Sequence, residues 1–161
     1  MTQTLRDLQF EQRVRASFER QAAMATLGAT LVRVAPGEVV VELPFRPEFT
    51  QQHGFLHAGI VTSVMDSACG YAALSLMERG TAVLSVEFKV NLIAPARGKR
   101  FRASGRVVRA GRTVTVVSAE FRVVEAPGEE QTAAMPDTAG ALVAIMTGTM
   151  MTVRDRPGLV D

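Results

Sequence analysis

The spacing of hydrophobic residues predicts helices and strands along most of the chain. Near the start, apolar residues recur at helical spacing among charged ones, which predicts a helix over about residues 4–25 that ends at Gly28. Two short apolar segments follow, at 30–34 and 38–43, and a Pro-Gly pair lies between them. This pattern is typical of a β-hairpin.

The most hydrophobic segment predicts a long helix that begins at Ala58 or Gly59 and ends near Arg79, before Gly80. Apolar residues cover most of its circumference, so we expect the rest of the fold to enclose it. Its other positions form a narrow stripe of small or polar residues: Thr62, Ser63, Asp66, Ser67 and Gly70. Asp66 carries the only formal charge in this stripe.

After Gly80 the pattern changes to a period of two, which predicts β-strands. In residues 83–91 the alternation predicts one buried face, made of Leu84, Val86, Phe88 and Val90. Three further strands are predicted, near residues 101–109, 113–125 and 141–153. The last of them is apolar on both faces, which favours a central position in a sheet. The segment 126–140 is interpreted as a mobile loop.

The order of these elements is a helix, two strands, a long helix and then about four strands. This order predicts an α+β domain in which an antiparallel sheet packs on one main helix. A length of 161 residues with 47% hydrophobic residues is sufficient for a single core.

Charge and composition argue against several classes of partner. The 18 basic and 16 acidic residues leave a net charge of +2, which does not support a nucleic-acid partner. No stretch approaches the roughly 20 apolar residues that span a bilayer, and the start of the chain has no apolar signal segment. We therefore expect a cytoplasmic protein with no membrane partner. Its one cysteine, Cys69, can form no intrachain disulfide.

Asp66 is the first candidate for chemistry. A buried carboxylate needs a partner or a function, because burial without one is unfavourable by several kcal/mol or forces protonation. No Lys or Arg lies one helical turn away on either side. Two interpretations stay open: an ion pair or hydrogen bond to a residue elsewhere, and a general base or nucleophile in a pocket.

The predicted start of the same helix is a second candidate. At His57, Ala58 and Gly59, unpaired backbone N–H groups would point outward with the positive end of the helix dipole, where an oxyanion can bind. Ala58 and Asp66 are eight residues apart, or about 12 Å along a helix, whereas a reacting carbonyl must lie within roughly 3.5 Å of both groups. One chain cannot supply both, but a two-fold dimer with antiparallel helices can.

Four segments together resemble a known family: QQHGFLHAG, MDSACGYAA, VLSVEFKVNLIAPARG and RVVRAGRTVTVVSAEFRV. They are similar to the hotdog-fold thioesterases of the phenylacetate-degradation type, and the resemblance covers about residues 28–153. It implies a curved antiparallel sheet wrapped around a long helix. It also implies homodimers that often form dimers of dimers, and hydrolysis of acyl-coenzyme A thioesters at the dimer interface. No cofactor and no metal are expected, since coenzyme A is part of the substrate.

The resemblance also implies roles for particular residues. Asp66 matches the catalytic carboxylate, and Ala58 and Gly59 match two glycines whose N–H groups stabilise the oxyanion. His57 matches the histidine of the motif, with simple helix capping as the alternative. Gln51 stands where many members have Asn, a residue that positions the water or the thioester. Ala58 is a departure, because its methyl group narrows the approach.

Further residues are candidates for substrate binding. Ser63, Ser67 and Gly70 are predicted to line the acyl pocket. Between residues 97 and 112 the chain has seven Arg or Lys and no acidic residue. Five of these are candidates for contacts with the phosphates of coenzyme A: Arg97, Lys99, Arg100, Arg109 and Arg112. A solvated sheet face explains the same charges as the alternative.

The sequence thus predicts three regions: an N-terminal helical segment at 1–27, the hotdog domain at 28–154 and a tail at 155–161. Two other functions stay open, namely a non-catalytic acyl-CoA-binding module and an acyl-thioester hydratase or dehydratase. The sequence does not choose between activation of water by Asp66 and direct attack by its carboxylate. It also does not predict the length of the acyl group.

Overall fold

The computed structural model describes residues 7–124, 140–159 and 161, so the predicted loop at 126–140 lies outside the described residues except for Gly140. The helices of the described chain are α1 (Phe10–Glu19), α2 (Ala22–Leu27) and α3 (Ala58–Leu74), with a short 3₁₀ turn at Pro47–Phe49. The strands are β1 (Thr30–Ala35), β2 (Glu38–Pro44), β3 (Ala82–Leu92), β4 (Arg100–Ala110), β5 (Val114–Val123) and β6 (Leu142–Val153).

The six strands form one antiparallel sheet in the order β1-β2-β4-β5-β6-β3. The predicted α+β class, with an antiparallel sheet on one main helix, is confirmed. Strand β6 pairs on both sides, as its two apolar faces predicted. Strands β1 and β3 form the two edges of the sheet.

Helix α3 lies against the sheet and is enclosed on most sides, as its apolar circumference predicted. Val64, Met65, Ala68 and Cys69 have no exposed surface. The contact between helix and sheet is closest at Gly105 of β4, where an added Cβ would lie 2.5 Å from the carbonyl oxygen of Ala68. Only glycine lets the two backbones approach this closely.

The prediction of one N-terminal helix over residues 4–25 is wrong. The chain leaves the helix at Arg20 and Gln21, where Gln21 is extended (φ −79°, ψ 91°), and α2 then ends at Gly28 in the left-handed conformation, as predicted. The break has a packing reason. Phe18 and Met24 are both buried, yet six residues at about 100° each would put them about 120° apart on a straight helix.

Helix α3 also ends five residues earlier than the predicted Arg79. Ser75 ends it: the hydroxyl donates to the carbonyl of Ala72 (2.7 Å) and accepts from the N–H of Gly37 (2.7 Å). One side chain therefore both closes the helix and ties it to the turn between β1 and β2.

The predicted buried face of strand β3 is wrong at Leu84 and Val86, whereas Val90 is half-buried and packs against the core. Ser85 lies opposite Met150 and Glu87 lies opposite Thr149, so Val86 is an extra residue in a β-bulge. The bulge puts Ser85 on the same face as Phe88, towards α3, and leaves Leu84 on the other face. Because β3 is an edge strand, Val86 and Phe88 remain 57% and 43% exposed.

No helix among the described residues combines the length and the hydropathy needed to cross a bilayer. The division into regions 1–27, 28–154 and 155–161 stays a prediction. Contacts cross both of its boundaries: Arg13 of α1 donates to the carbonyl of Met77 (2.7 Å), and the N–H of Asp161 donates to the carbonyl of Thr81 (3.3 Å).

The close approach at Gly105 gives a stability prediction. We expect Gly105→Ala to lower the free energy of unfolding by about 1–3 kcal/mol, because the added methyl group meets the helix backbone and neither element can move freely. Urea denaturation measures the change. Val108→Ala, at an exposed position of the same strand, is the control and should shift stability by no more than about 0.5 kcal/mol. An equal effect of the two substitutions would contradict the packing argument.

Candidate active site

Asp66 lies in the middle of α3 on the side that faces the open edge of the sheet. The hydroxyl of Ser85 donates a hydrogen bond of 2.7 Å to its Oδ1. No Lys or Arg pairs with this carboxylate within residues 7–124, 140–159 and 161, so the ion-pair interpretation finds no partner there. The second oxygen of Asp66 is available for chemistry.

Ser85 was not predicted as a site residue, because strict alternation assigned it to the solvent face of β3. The bulge at Val86 reverses this assignment and turns Ser85 towards the helix. Bulges of this kind are frequent beside active sites, since they redirect one side chain without ending the strand. Nothing in the residue pattern marks this bulge.

Asp66 and Ser85 line a cleft of about 260 Å³. Of the three predicted pocket residues, Ser67 and Gly70 line this cleft. Ser63 does not, because it lies one turn earlier on α3, where its hydroxyl donates to the carbonyl of Gly59 (2.7 Å). The cleft therefore extends from Asp66 towards the C-terminal half of the helix.

At the N-terminus of α3, only one of the two predicted oxyanion donors, the N–H groups of Ala58 and Gly59, is free of a partner among the described residues. His57 caps the helix, and its Nδ1 accepts a hydrogen bond of 2.9 Å from the N–H of Gly59. The N–H of Ala58 has no partner within the described part of the chain. Ala58 thus keeps a free donor in this conformation, while a role for Gly59 stays a prediction that requires His57 to release it.

The capping hydrogen bond also determines the tautomer of the neutral His57 ring. Because Nδ1 accepts a hydrogen bond, the proton of the neutral ring is on Nε2. The side chain is exposed, so this N–H is accessible to a ligand.

Gln51 lies in a turn just before α3. Its N–H donates to the carbonyl of Phe55 (2.8 Å), and its Oε1 accepts from the N–H of His53. The side-chain nitrogen of Gln51 has no partner among the described residues. The amide therefore presents a donor, which is compatible with its predicted role but does not test it.

The five predicted basic residues do not form one patch within a single chain. Arg97, Lys99 and Arg100 lie near the start of α3, where the N–H of Leu56 donates to the carbonyl of Ala96 (3.3 Å). Arg109 lies about 30 Å further along β4, at about 3.3 Å per residue, and Arg112 follows it.

The charges near the start of α3 are not all equivalent. Arg97 stacks over the ring of Phe55 at 5.0 Å, which leaves its charge exposed, whereas Arg100 pairs with Glu42 at 3.6 Å. The guanidinium of Arg97 is thus the more available cation for an anionic ligand.

Cys69 is not a second nucleophile. Burial, with a smaller contribution from the charge of Asp66, raises the pKa of its thiol to about 12. The group is protonated at neutral pH, and a protonated buried thiol is unreactive. Within the described residues, no three His, Cys, Asp or Glu side chains come together as a metal site.

Comparison with known proteins shows the family. The sequence profile of the Thioesterase superfamily matches residues 53–126. Human acyl-coenzyme A thioesterase 13 is 32% identical over 123 residues, which are 75% of this chain and 84% of that protein. This chain belongs to the thioesterase superfamily. The protein is accordingly an enzyme that hydrolyses thioesters.

Solved structures show the same fold. A thioesterase family protein from Silicibacter pomeroyi has a TM-score of 0.80 and 48% identity, over 91% of the thioesterase described here and 99% of that chain. The Escherichia coli PaaI protein from the phenylacetic acid degradation operon has a TM-score of 0.76 at 20% identity, over 98% and 99% of the two chains. The predicted hotdog fold is therefore confirmed, and the E. coli PaaI protein shares it.

The His57 cap leads to a prediction about the thioesterase. We expect His57→Ala to lower the free energy of unfolding by about 1 kcal/mol, because the N–H of Gly59 loses its acceptor, while His57→Asn keeps most of the stability. Chemical denaturation monitored by circular dichroism measures both. His53→Ala, in the exposed preceding loop, serves as the control. If His57→Ala is as stable as His53→Ala, the histidine is not an effective cap.

Proposed function

We propose that the protein hydrolyses acyl-coenzyme A thioesters at a site that two chains share. The observation that carries the proposal is the hydrogen bond between Ser85 and Asp66 at the wall of a cleft, in a chain that belongs to a thioester hydrolase family. Human acyl-coenzyme A thioesterase 13, at 32% identity, supports coenzyme A as the thiol part of the substrate.

Asp66 is proposed to act on the thioester carbonyl carbon, either through a water molecule or directly. In the first course its free oxygen takes a proton from water, the water oxygen adds to the carbonyl carbon, and the carbon–sulfur bond breaks. The coenzyme A thiolate then takes the proton. In the second course the carboxylate adds to the carbonyl carbon and the carbon–sulfur bond breaks, which gives an anhydride and the coenzyme A thiolate. Water then cleaves the anhydride to the free acid and the Asp66 carboxylate, and the released proton passes to the thiolate. In both, Ser85 holds Oδ1 so that the other oxygen faces the substrate.

The N–H of Ala58 is the proposed donor to the oxyanion. It lies at the N-terminus of α3, where the helix dipole favours negative charge, and it has no partner within the described chain. The Nε2–H of His57 and the free amide nitrogen of Gln51 are further donors near this point. They are suited to orient the thioester carbonyl.

The proposed site needs a second chain, because Ala58 and Asp66 lie about 12 Å apart on one continuous helix. The edge of β3 supports such a partner. Val86, Phe88 and Leu92 are 57%, 43% and 54% exposed there, on a strand that pairs on one side only within the described part of the chain. Monomeric proteins rarely leave a long apolar edge open, since it favours pairing with another chain.

A two-fold pairing of β3 edges would place two copies of α3 side by side in antiparallel sense. Asp66 of each chain would then face the start of α3 in its twin, and two equal sites would result. Arg97, Lys99 and Arg100 lie at the Ala58 end and are proposed to bind the phosphates of coenzyme A. Arg109 and Arg112 lie at the far end of β4 and join the same site only if the partner supplies them.

Loss of Asp66 should abolish activity. We expect Asp66→Asn to reduce kcat on acyl-CoA by about 10²–10⁴-fold and Ser85→Ala by roughly ten-fold, because the first removes the base and the second only its positioning group. Release of free thiol from acetyl- and butyryl-CoA measures both. Ser118→Ala, on β5, is the control for Ser85→Ala and should retain full activity.

The alternatives give different outcomes in this assay. Binding of acyl-CoA without release of thiol by the wild-type protein would favour a non-catalytic module. Conversion of an enoyl thioester that survives Asp66→Asn would favour a hydratase. Equal thiol release by wild type and Asp66→Asn would refute the role of Asp66.

Ala58→Pro tests the N–H of Ala58 as the proposed donor to the oxyanion. Proline is tolerated at the first position of a helix, and His57 already has the extended conformation (φ −63°, ψ 139°) that precedes proline. The substitution removes the proposed donor, so we expect kcat to fall by about 10²-fold or more, while Ala58→Gly, which keeps the N–H, stays active.

Mixing of chains then shows which groups act together. Half of the dimers formed from equal amounts of Ala58→Pro and Asp66→Asn chains are mixed, and each mixed dimer has one intact site of two. Recovery of about a quarter of the wild-type activity after co-refolding is therefore expected. No recovery would mean that Ala58 and Asp66 act within one chain or in different reactions.

A further inference from the structure

The cleft beside Asp66 ends at polar side chains that the proposed reaction does not use. This group, the polar wall, comprises Ser17, Gln21, Ser67, Tyr71 and Asp161. It brings together α1, the break before α2, α3 and the last residue of the chain as given. Ser17, Ser67 and Tyr71 are at most 7% exposed, so their polar atoms are largely shielded from water.

Hydrogen bonds connect the members of the polar wall. The hydroxyl of Ser67 donates to Oε1 of Gln21 (3.2 Å), and the hydroxyl of Ser17 donates to Oδ1 of Asp161 (2.5 Å). The hydroxyl oxygens of Ser17 and Tyr71 lie 3.5 Å apart, which is long for a hydrogen bond between two hydroxyls. The hydroxyl protons of Ser17 and Ser67 are therefore both engaged within the wall.

This arrangement leaves specific atoms for a ligand. The side-chain nitrogen of Gln21 has no partner within the described chain, and it carries two protons. The hydroxyl of Ser67 donates its one proton to Gln21, and the oxygens of Ser67 and Tyr71 keep lone pairs that can accept. Burial raises the pKa of Tyr71, so its phenol is neutral at physiological pH. The wall thus offers both a donor and acceptors.

The wall begins beside Asp66 at Ser67, and Tyr71 marks its far end on α3. Tyr71 follows Asp66 by five residues on α3, which is about 7.5 Å along the helix axis. An extended acyl chain covers this distance in about six bonds of roughly 1.5 Å each, given its zigzag shape. The sixth atom after the carbonyl carbon therefore reaches the level of Tyr71.

We propose that the polar wall is a specificity subsite for acyl groups that carry a hydroxyl about six bonds from the thioester carbonyl. The inference rests on the proposed hydrolysis at Asp66. A hydroxyl can accept from the side-chain nitrogen of Gln21 and donate to Tyr71 or Ser67, whereas a methyl group in the same place offers the half-buried Gln21 amide no acceptor. A carboxylate in the same place would be repelled by the carboxylates of Asp66 and Asp161. Arg20, which lies 3.6 Å from Asp161, offsets only the charge of Asp161.

Two acyl chains of equal size test this subsite: ω-hydroxyhexanoyl-CoA and heptanoyl-CoA differ only by a hydroxyl in place of a methyl group. We expect the wild-type kcat/KM to favour the hydroxylated substrate by about ten-fold or more. In Gln21→Leu and Tyr71→Phe the ratio should fall to about one, chiefly through slower turnover of the hydroxylated substrate. Gln12→Leu, at an exposed position of α1, is the matched control and should keep the wild-type ratio.

Butyryl-CoA separates the two proposals, because its chain is too short to reach the wall. If the wild type does not hydrolyse butyryl-CoA or either longer substrate, the proposed function fails. If it hydrolyses butyryl-CoA but prefers heptanoyl-CoA, or shows no preference, the subsite inference alone is overturned.

A binding measurement covers the case in which a wall variant does not fold. Calorimetric titration of Asp66→Asn with the same two substrates should give a lower Kd for ω-hydroxyhexanoyl-CoA. Equal Kd values would count against the subsite independently of any variant in the wall.

Discussion

The contact between Ser85 and Asp66 joins the edge strand to the central helix, and the rest of the site is arranged around it. Helix α3 is enclosed by apolar side chains almost everywhere, so a carboxylate is tolerated only where the enclosure is open. That opening lies at the edge of the sheet, beside β3. The bulge at Val86 then turns a hydroxyl towards the carboxylate, where strict alternation would have placed a valine.

The same helix explains why the chemistry is proposed to be shared between chains. A helix is rigid, so the distance between the free N–H of Ala58 and the carboxylate of Asp66 cannot shrink to the size of one carbonyl group. Close packing at Gly105 holds the helix on the sheet and prevents a large shift. The stripe of small residues and the exposed apolar edge of β3 lie on a side of the helix that the described residues leave open.

Much of the fold followed from periodicity. The long apolar helix, the hairpin before it and the strands after it appear where the hydrophobic pattern predicted them. The helix boundaries that the pattern misplaced depend on the tertiary packing of side chains. The break at Gln21 arises because Phe18 and Met24 must both reach the core, and the early end of α3 arises because Ser75 bonds to Gly37. The local spacing of hydrophobic residues does not indicate either of these interactions.

The site divides in the same way. The sequence by itself determined that a carboxylate at Asp66 lies in an apolar helix, that the helix begins near Ala58, and that eight residues separate them. These are properties of one continuous segment with a fixed rise per residue. Only the tertiary structure decided that Ser85 meets Asp66, that His57 occupies the N–H of Gly59, and that Ser17 and Asp161 lie beside Tyr71. Each of these depends on side-chain direction or on a bulge, which hydrophobic periodicity does not encode.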